Sequence, residues 1–181
     1  TPYLIRLEPL YGGFFELRLI DVHIFYGNQI KSNIEKRRKE FEVLTQQIYP
    51  AINQRTYGNN RTIYTIAMGD YNLNIFRLQT KTLYNNCYLT EVYSYENGKQ
   101  KVHILTVQDE LTTLKEADES NNTESLYANN FDHFTYSPEL SSFSRVSYKA
   151  IDAVNKYCNG DADYYRKHIS DHLPIVMTIE I

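Results

Sequence analysis

A chain of 181 residues, 42% hydrophobic and with 17 Tyr and 8 Phe, has the size of one domain and the apolar volume to fill its core. Its formal net charge of -3 excludes a global attraction to polyanions, so nucleic-acid affinity has to come from a local basic face or a bound metal. The apolar stretch Ile63 to Gly69 is far short of the roughly 20 residues of a membrane helix, no charged-then-apolar leader opens the chain, and two cysteines, Cys87 and Cys158, are too few for a disulfide framework or a zinc cluster. Asn60-Arg61-Thr62 and Asn121-Asn122-Thr123 match the glycosylation pattern, but three residues recur by chance in an Asn-rich chain, and the compartment stays open.

Tyr3 to Leu7 and Phe14 to Ile24 are rich in aromatic and β-branched residues, and Gly12-Gly13 between them predicts a hairpin whose second strand closes around His23. Ser32 to Ile48 reads as a helix: Ser32 and Glu35 make a capping box, Ile34, Phe41, Leu44 and Ile48 share one face, and Pro50 follows. Lys31, Lys36, Arg37, Arg38 and Lys39 could meet a phosphate backbone, yet Glu35, Glu40 and Glu42 beside them make a solvated face the expected reading. Thr62 to Met68 is a nearly unbroken apolar run, as in a central strand covered on both faces.

Tyr88 to Tyr95 and Lys101 to Val107 flank an Asn97-Gly98 pair and predict a second hairpin. Lys115 to Ser125, polar and without an apolar period, predicts a surface loop. Phe131 to Ser137 reads as a strand, Tyr148 to Tyr157 as a short helix with Ile151 and Val154 inward, and Leu173 to Ile181 as a final strand. Hairpins around a buried strand predict layered α/β packing with sheets inside.

Two short elements carry chemistry. Gly69-Asp70-Tyr71-Asn72 follows the buried strand, at the end where α/β proteins tend to place binding groups, although alone it reads as an Asx turn. Ser170-Asp171-His172-Leu173-Pro174-Ile175 sets an acid beside an imidazole before the last strand. Asp171 offers a hard oxygen suited to magnesium or manganese, and His172 exchanges a proton near neutral pH. His23 ends one strand and Asp132 begins another. Each is weak alone, and the ordered set is the signal.

That ordered set resembles the endonuclease/exonuclease/phosphatase superfamily, the DNase I-like fold, from about Tyr3 to Ile181. Gly69-Asp70-Tyr71-Asn72 is similar to the family's Gly-Asp-Phe-Asn element, with Tyr71 in place of the commoner Phe, and Ser170 to Ile175 matches its closing element. The resemblance implies one catalytic domain over 1-181, a four-layered α/β/β/α sandwich with the site at one edge. It implies His172 as general base or phosphate-contacting imidazole, Asp132 as the carboxylate orienting it, and Asp171 as a ligand of Mg2+ or Mn2+. Asp70 would position or deprotonate the attacking water, Asn72 would hydrogen-bond the scissile phosphate, and His23 would contact phosphate or assist the leaving group.

The family's domain normally opens with a strand bearing an Asn and a later strand bearing a metal-binding Glu, both ahead of the region that Tyr3 resembles. Glu8 and Glu16 are the only early glutamates and are expected at the surface. The resemblance therefore implies a domain lacking its N-terminal strands, completed by an N-terminal fragment or a second chain. The expected function is a metal-dependent phosphoester hydrolase, a nuclease or other phosphodiesterase that could act on DNA. The alternatives are a phosphomonoesterase on a phosphorylated lipid or sugar, and a non-catalytic interaction module that keeps the fold. Thr112-Thr113 lies where some family members place a substrate-proximal threonine, and an ordinary strand end explains it as well.

Overall fold

The computed structural model describes residues 2–11, 13, 15–57, 60–74, 110–115, 126–137, 140 and 145–180, and the backbone of 82–84, 87–93 and 101–107. The expected Asn97-Gly98 turn, the Asn121 glycosylation pattern, Gly12 and all but the first residue of the Lys115–Ser125 loop lie outside the described residues.

The first hairpin forms as its composition predicts. Strands β1 (Tyr3–Leu7) and β2 (Phe15–His23) pair antiparallel, Tyr3 opposite Asp21 and Leu7 opposite Leu17. Helix α1 (Lys31–Val43) follows, but it starts one residue before Ser32. Ser32 therefore sits inside the first turn, where helical backbone angles keep it from capping, and the helix has no side-chain cap. Pro50 does not end the helical segment either. A π-helical turn (Leu44–Ile48) leads into α2 (Tyr49–Gln54), and Pro50 occupies the first turn of α2, where its fixed φ suits the helix.

Phe41 and Leu44 are buried on the expected stripe, and Lys31, Lys36, Arg38 and Lys39 are exposed. Arg37 departs from the expected solvated face, because it is 2% exposed. Burying a side chain such as Phe41 stabilises the fold by roughly 1.5–3 kcal/mol.

Strand β3 (Thr62–Asp70) is central, as its apolar run predicts. It runs parallel to β2 and antiparallel to β7 (Asp132–Tyr136), within a seven-stranded sheet of order β1-β2-β3-β7-β6-β5-β4. Strands β4 (Thr82–Tyr84), β5 (Cys87–Tyr93) and β6 (Lys101–Val107) complete it, with β5 and β6 pairing antiparallel as predicted. Side chains alternate along β3, so its two faces build two cores. Ala67 joins Ile20, Val22, Phe41, Leu44 and Tyr49 under the helices. Tyr64 and Ile66 join Phe134 and Tyr136 against a second sheet.

That second sheet pairs β8 (Arg145–Ala150) with β9 (Ile175–Glu180) and turns Val146, Tyr148, Ile175, Met177 and Ile179 inward. The helix expected from Tyr148 is thus a strand as far as Ala150. The alternation from Arg145 to Ala150 overrides helical spacing, and α3 (Ala153–Cys158) begins only where the Asp152 side chain accepts from Asn155 N (3.1 Å). A further helix, α4 (Ala162–His168), is capped by Asp161 accepting from Tyr164 N (2.8 Å) and was not expected. The cap residue Asp161 was its signal.

The class is mixed α and β, as expected, with helices, one sheet and then a second sheet in succession. Helices α3 and α4 pack on a smaller core with Leu114 and Leu173. Arg145, Ser147, Lys149, Val176, Thr178 and Glu180, on the outer face of β8 and β9, are exposed, so among the described residues three layers are seen. Glu16, expected at the surface, is fully buried beside Arg18 on the helix side of β2. Among the described residues no helix is long and apolar enough to cross a membrane.

Candidate active site

Sheet register brings the first three candidates together. His23 lies opposite Asp70 in the parallel β2–β3 pair, and Asp70 lies opposite Asp132 in the antiparallel β3–β7 pair. One rung across three strands therefore carries His23, Asp70 and Asp132. By alternation, Asp70 shares the face of Tyr64 and Ile66, and Asp132 that of Phe134 and Tyr136, so both carboxylates stand at the rim of the gap between the sheets.

His172 reaches that rim from the segment before β9. Thr113 forms an isolated bridge with His172, Leu173 N donates to Thr112 O (2.7 Å), and Leu114 N donates to Asp171 O (2.8 Å). The buried Thr112 hydroxyl accepts from Phe131 N (3.1 Å) and Asp132 N (3.2 Å), which ties the start of β7 to the same segment. Thr112-Thr113 is thus a staple that sets Asp132 against His172. Neither threonine has a local motif, so the pair carries no sign of this role in the sequence.

The turn after β3 explains why Gly precedes Asp70. Gly69 has φ of 131°, and a Cβ there would collide with the Val22 carbonyl oxygen. Asn72 has φ of 48°, a left-handed conformation that Asn tolerates. Its N–H donates to Asp70 Oδ1 (2.7 Å), and its Nδ2 donates to Asp70 Oδ2 (3.0 Å) and Ile24 O (2.9 Å). The Asx turn expected from composition is present, and it orients the very carboxylate that the functional reading needs. Asn72 is 2% exposed, so it holds Asp70 rather than facing the opening.

His172 Nδ1 lies 2.8 Å from Asp132 Oδ2, and because a carboxylate only accepts, this nitrogen carries the proton. His172 Nε2 is 3.8 Å and His23 Nε2 3.4 Å from Asp70 Oδ2. Side-chain exposure is 13% at Asp132, 18% at Asp70, 27% at His172 and 70% at His23, so the cluster is reachable from solvent. Burial pushes the Asp70 carboxyl above its ordinary range, and the charge of Asp132 adds to that against the Asn72 N–H and the two imidazoles. The hydrogen bond to Asp132 raises His172 against burial, with the charges of Asp132, Asp70 and Asp171 adding to it.

Asp171 is exposed and outside this group. His133 is buried on the opposite face of β7, its Nε2 3.0 Å from Leu73 O and its ring 5.2 Å from that of Tyr71. Asp70, Asp132 and His172 each offer a ligand atom, all within 4.8 Å of one another, a geometry that could hold a metal ion. Comparison with protein-family models, with curated proteins and with solved structures finds no match to this chain.

Proposed function

We propose that this chain is a divalent-metal-dependent phosphoester hydrolase of the phosphodiesterase or nuclease kind. The observation that carries the reading is the convergence of an acid-paired imidazole, His172 with Asp132 at 2.8 Å, on a second carboxylate, Asp70, that is itself fixed by two hydrogen bonds from Asn72. Phosphoester hydrolysis needs water activated on one side of the phosphorus, charge neutralised on its oxygens and a stabilised leaving oxygen.

The two carboxylate oxygens fit a hard cation such as Mg2+ or Mn2+. The carboxylates of Asp70 and Asp132 would hold the ion, and Asp171 would add negative charge beside them. Bound there, the ion would supply neutralisation of the phosphoryl oxygens and a more acidic water. Asp70, its affinity for protons raised by burial, positions the attacking water and accepts its proton. His172, favoured as imidazolium by Asp132, contacts a phosphoryl oxygen. His23, exposed at the rim, faces the leaving group.

The test is a plasmid-nicking and bis(p-nitrophenyl) phosphate assay with Mg2+, Mn2+ and excess chelator. Metal-dependent cleavage that chelation stops and added metal restores is expected. Cleavage that survives chelation overturns the metal role, and metal binding without turnover favours an interaction module.

A further inference from the structure

Arg37 occupies a position where packing alone calls for an apolar residue. It lies on the buried stripe of α1 between Ile34 and Phe41, and it is 2% exposed. Leu or Met would fill that place without the cost of burying a charge. The guanidinium instead donates from Nη1 to Asn72 O (2.9 Å), from Nη2 to Gly27 O (3.1 Å) and Asn28 O (2.7 Å), and from Nε to Asn33 O (3.3 Å). All four acceptors are main-chain carbonyls, and three belong to the loops that leave β2 just past His23 and β3 just past Asp70.

A planar fork of N–H donors is the side chain suited to grip several carbonyls at fixed angles. The grip on Asn72 O bears on a residue already in the left-handed conformation, whose N–H and Nδ2 hold both oxygens of Asp70. Asn72 Nδ2 also reaches Ile24 O, and Ile24 N donates to Asp70 O (2.9 Å), so the two loops are laced together behind the site.

We propose that Arg37 is a positioning residue of the site: by clamping the Gly27–Asn28 loop to Asn72, it sets the turn that aims the Asp70 carboxylate toward His172 and His23. It touches neither substrate nor metal and acts through Asn72. The kinetic consequence rests on the hydrolase reading above, whereas the placement of Asn72 does not.

The experiment compares Arg37→Met, Arg37→Lys and, as a control on the exposed face, Arg38→Met. It reads kcat and KM on bis(p-nitrophenyl) phosphate with Mg2+, and the 15N resonances and hydrogen exchange of Asn72 N–H and Nδ2H2. Arg37→Met is expected to lower kcat per folded molecule about 100-fold, as a misplaced catalytic group does, with KM nearly unchanged. The Asn72 signals should shift and exchange faster. Arg37→Lys, which keeps the charge and loses the fork, should fall between, and Arg38→Met should match the wild type. A role in stability alone would lower the melting temperature and leave kcat and the Asn72 signals in place, and that result overturns the proposal. If Arg37→Met does not fold, Arg37→Lys decides, since unchanged kcat and Asn72 signals there overturn it equally. If the wild type cleaves no phosphoester with any divalent metal, the hydrolase reading fails, and the Asn72 signals alone support or overturn the positioning of the turn.

Discussion

Strand β2 carries two charged clusters, and they are built on opposite plans. Near its start, Arg18 Nε lies 2.5 Å and Arg6 Nε 3.0 Å from the two oxygens of Glu16, with Glu16 and Arg18 wholly buried. Arg6 also pairs with Glu8, which meets Arg61 at 2.5 Å, and Arg6 and Arg18 lie over the Tyr57 ring at 4.1 and 5.0 Å. Each carboxylate there meets two guanidinium groups, and Arg18 Nη2 is buried without a hydrogen-bond partner. Burial works to raise the Glu16 carboxyl, but Arg18 and Arg6 outweigh it and hold it below its ordinary range. At the other end of β2, His23 opens a cluster in which Asp70 and Asp132 face each other and two imidazoles, open to solvent on the His23 side, and both Asp70 and His172 are pushed up. Compensation and reach, not density of charge, separate a cluster that holds the sheet from one able to exchange protons with a ligand.

The comparison breaks most visibly in the second cluster. Asp70→Asn and His172→Ala should each lower phosphodiesterase kcat by about 10³-fold or more, the combined scale of acid-base and charge stabilisation, with little change in melting temperature. Asp132→Asn should lower it by about 10²-fold, because the amide can still accept from His172 but no longer supplies the charge that favours its imidazolium; a steady-state rate near wild type would remove Asp132 from the site.

Smaller effects are expected in the frame. Gly69→Ala should destabilise the fold by about 1–3 kcal/mol, since it forces a side chain into a strained backbone region against the Val22 carbonyl. Urea unfolding measures it. Glu16→Gln should cost roughly 1–3 kcal/mol at neutral pH and leave kcat intact. Because the folded-state pKa of Glu16 is below its unfolded value of 4.5, its contribution to stability is present above that value and is lost as pH falls below it. The variant should therefore lose less stability than the wild type when the pH is lowered through and below 4.5, and equal slopes of stability against pH would contradict the network. His23→Ala, at the most exposed position, should change the rate least, by about tenfold.

The central strand and the rung of site residues were legible because alternation and strand ends follow from short-range pattern. Thr62 to Met68 is apolar enough to need cover on both faces, and His23, Asp70 and Asp132 each sit at a strand terminus. At Arg37 the charge points to solvent while the position points inward, and position wins. Arg37 lies three residues after Ile34 and four before Phe41, on the stripe that Leu44 and Ile48 continue, and that spacing was the available signal. The same holds at Glu16, which alternates with Phe15 and Leu17 on a strand packed on both faces. The staple at Thr112 joins segments about 20 and 60 residues away along the chain, and such pairings leave no trace in local spacing. Asn72 follows Asp70 by two residues as its motif shows, but its engagement with the Asp70 carboxylate depends on a backbone turn that composition only suggests.

The central claim is that Asp70 and His172 serve one reaction at one metal-dependent site. The most direct measurement is a double-mutant cycle of kcat/KM with Mg2+ on a phosphodiester, using Asp70→Asn, His172→Ala and the two together. Groups acting in the same step are strongly non-additive, so the double variant should be barely slower than the worse single one. Losses that multiply, or single variants that retain wild-type rates, would show that the two side chains do not share a reaction.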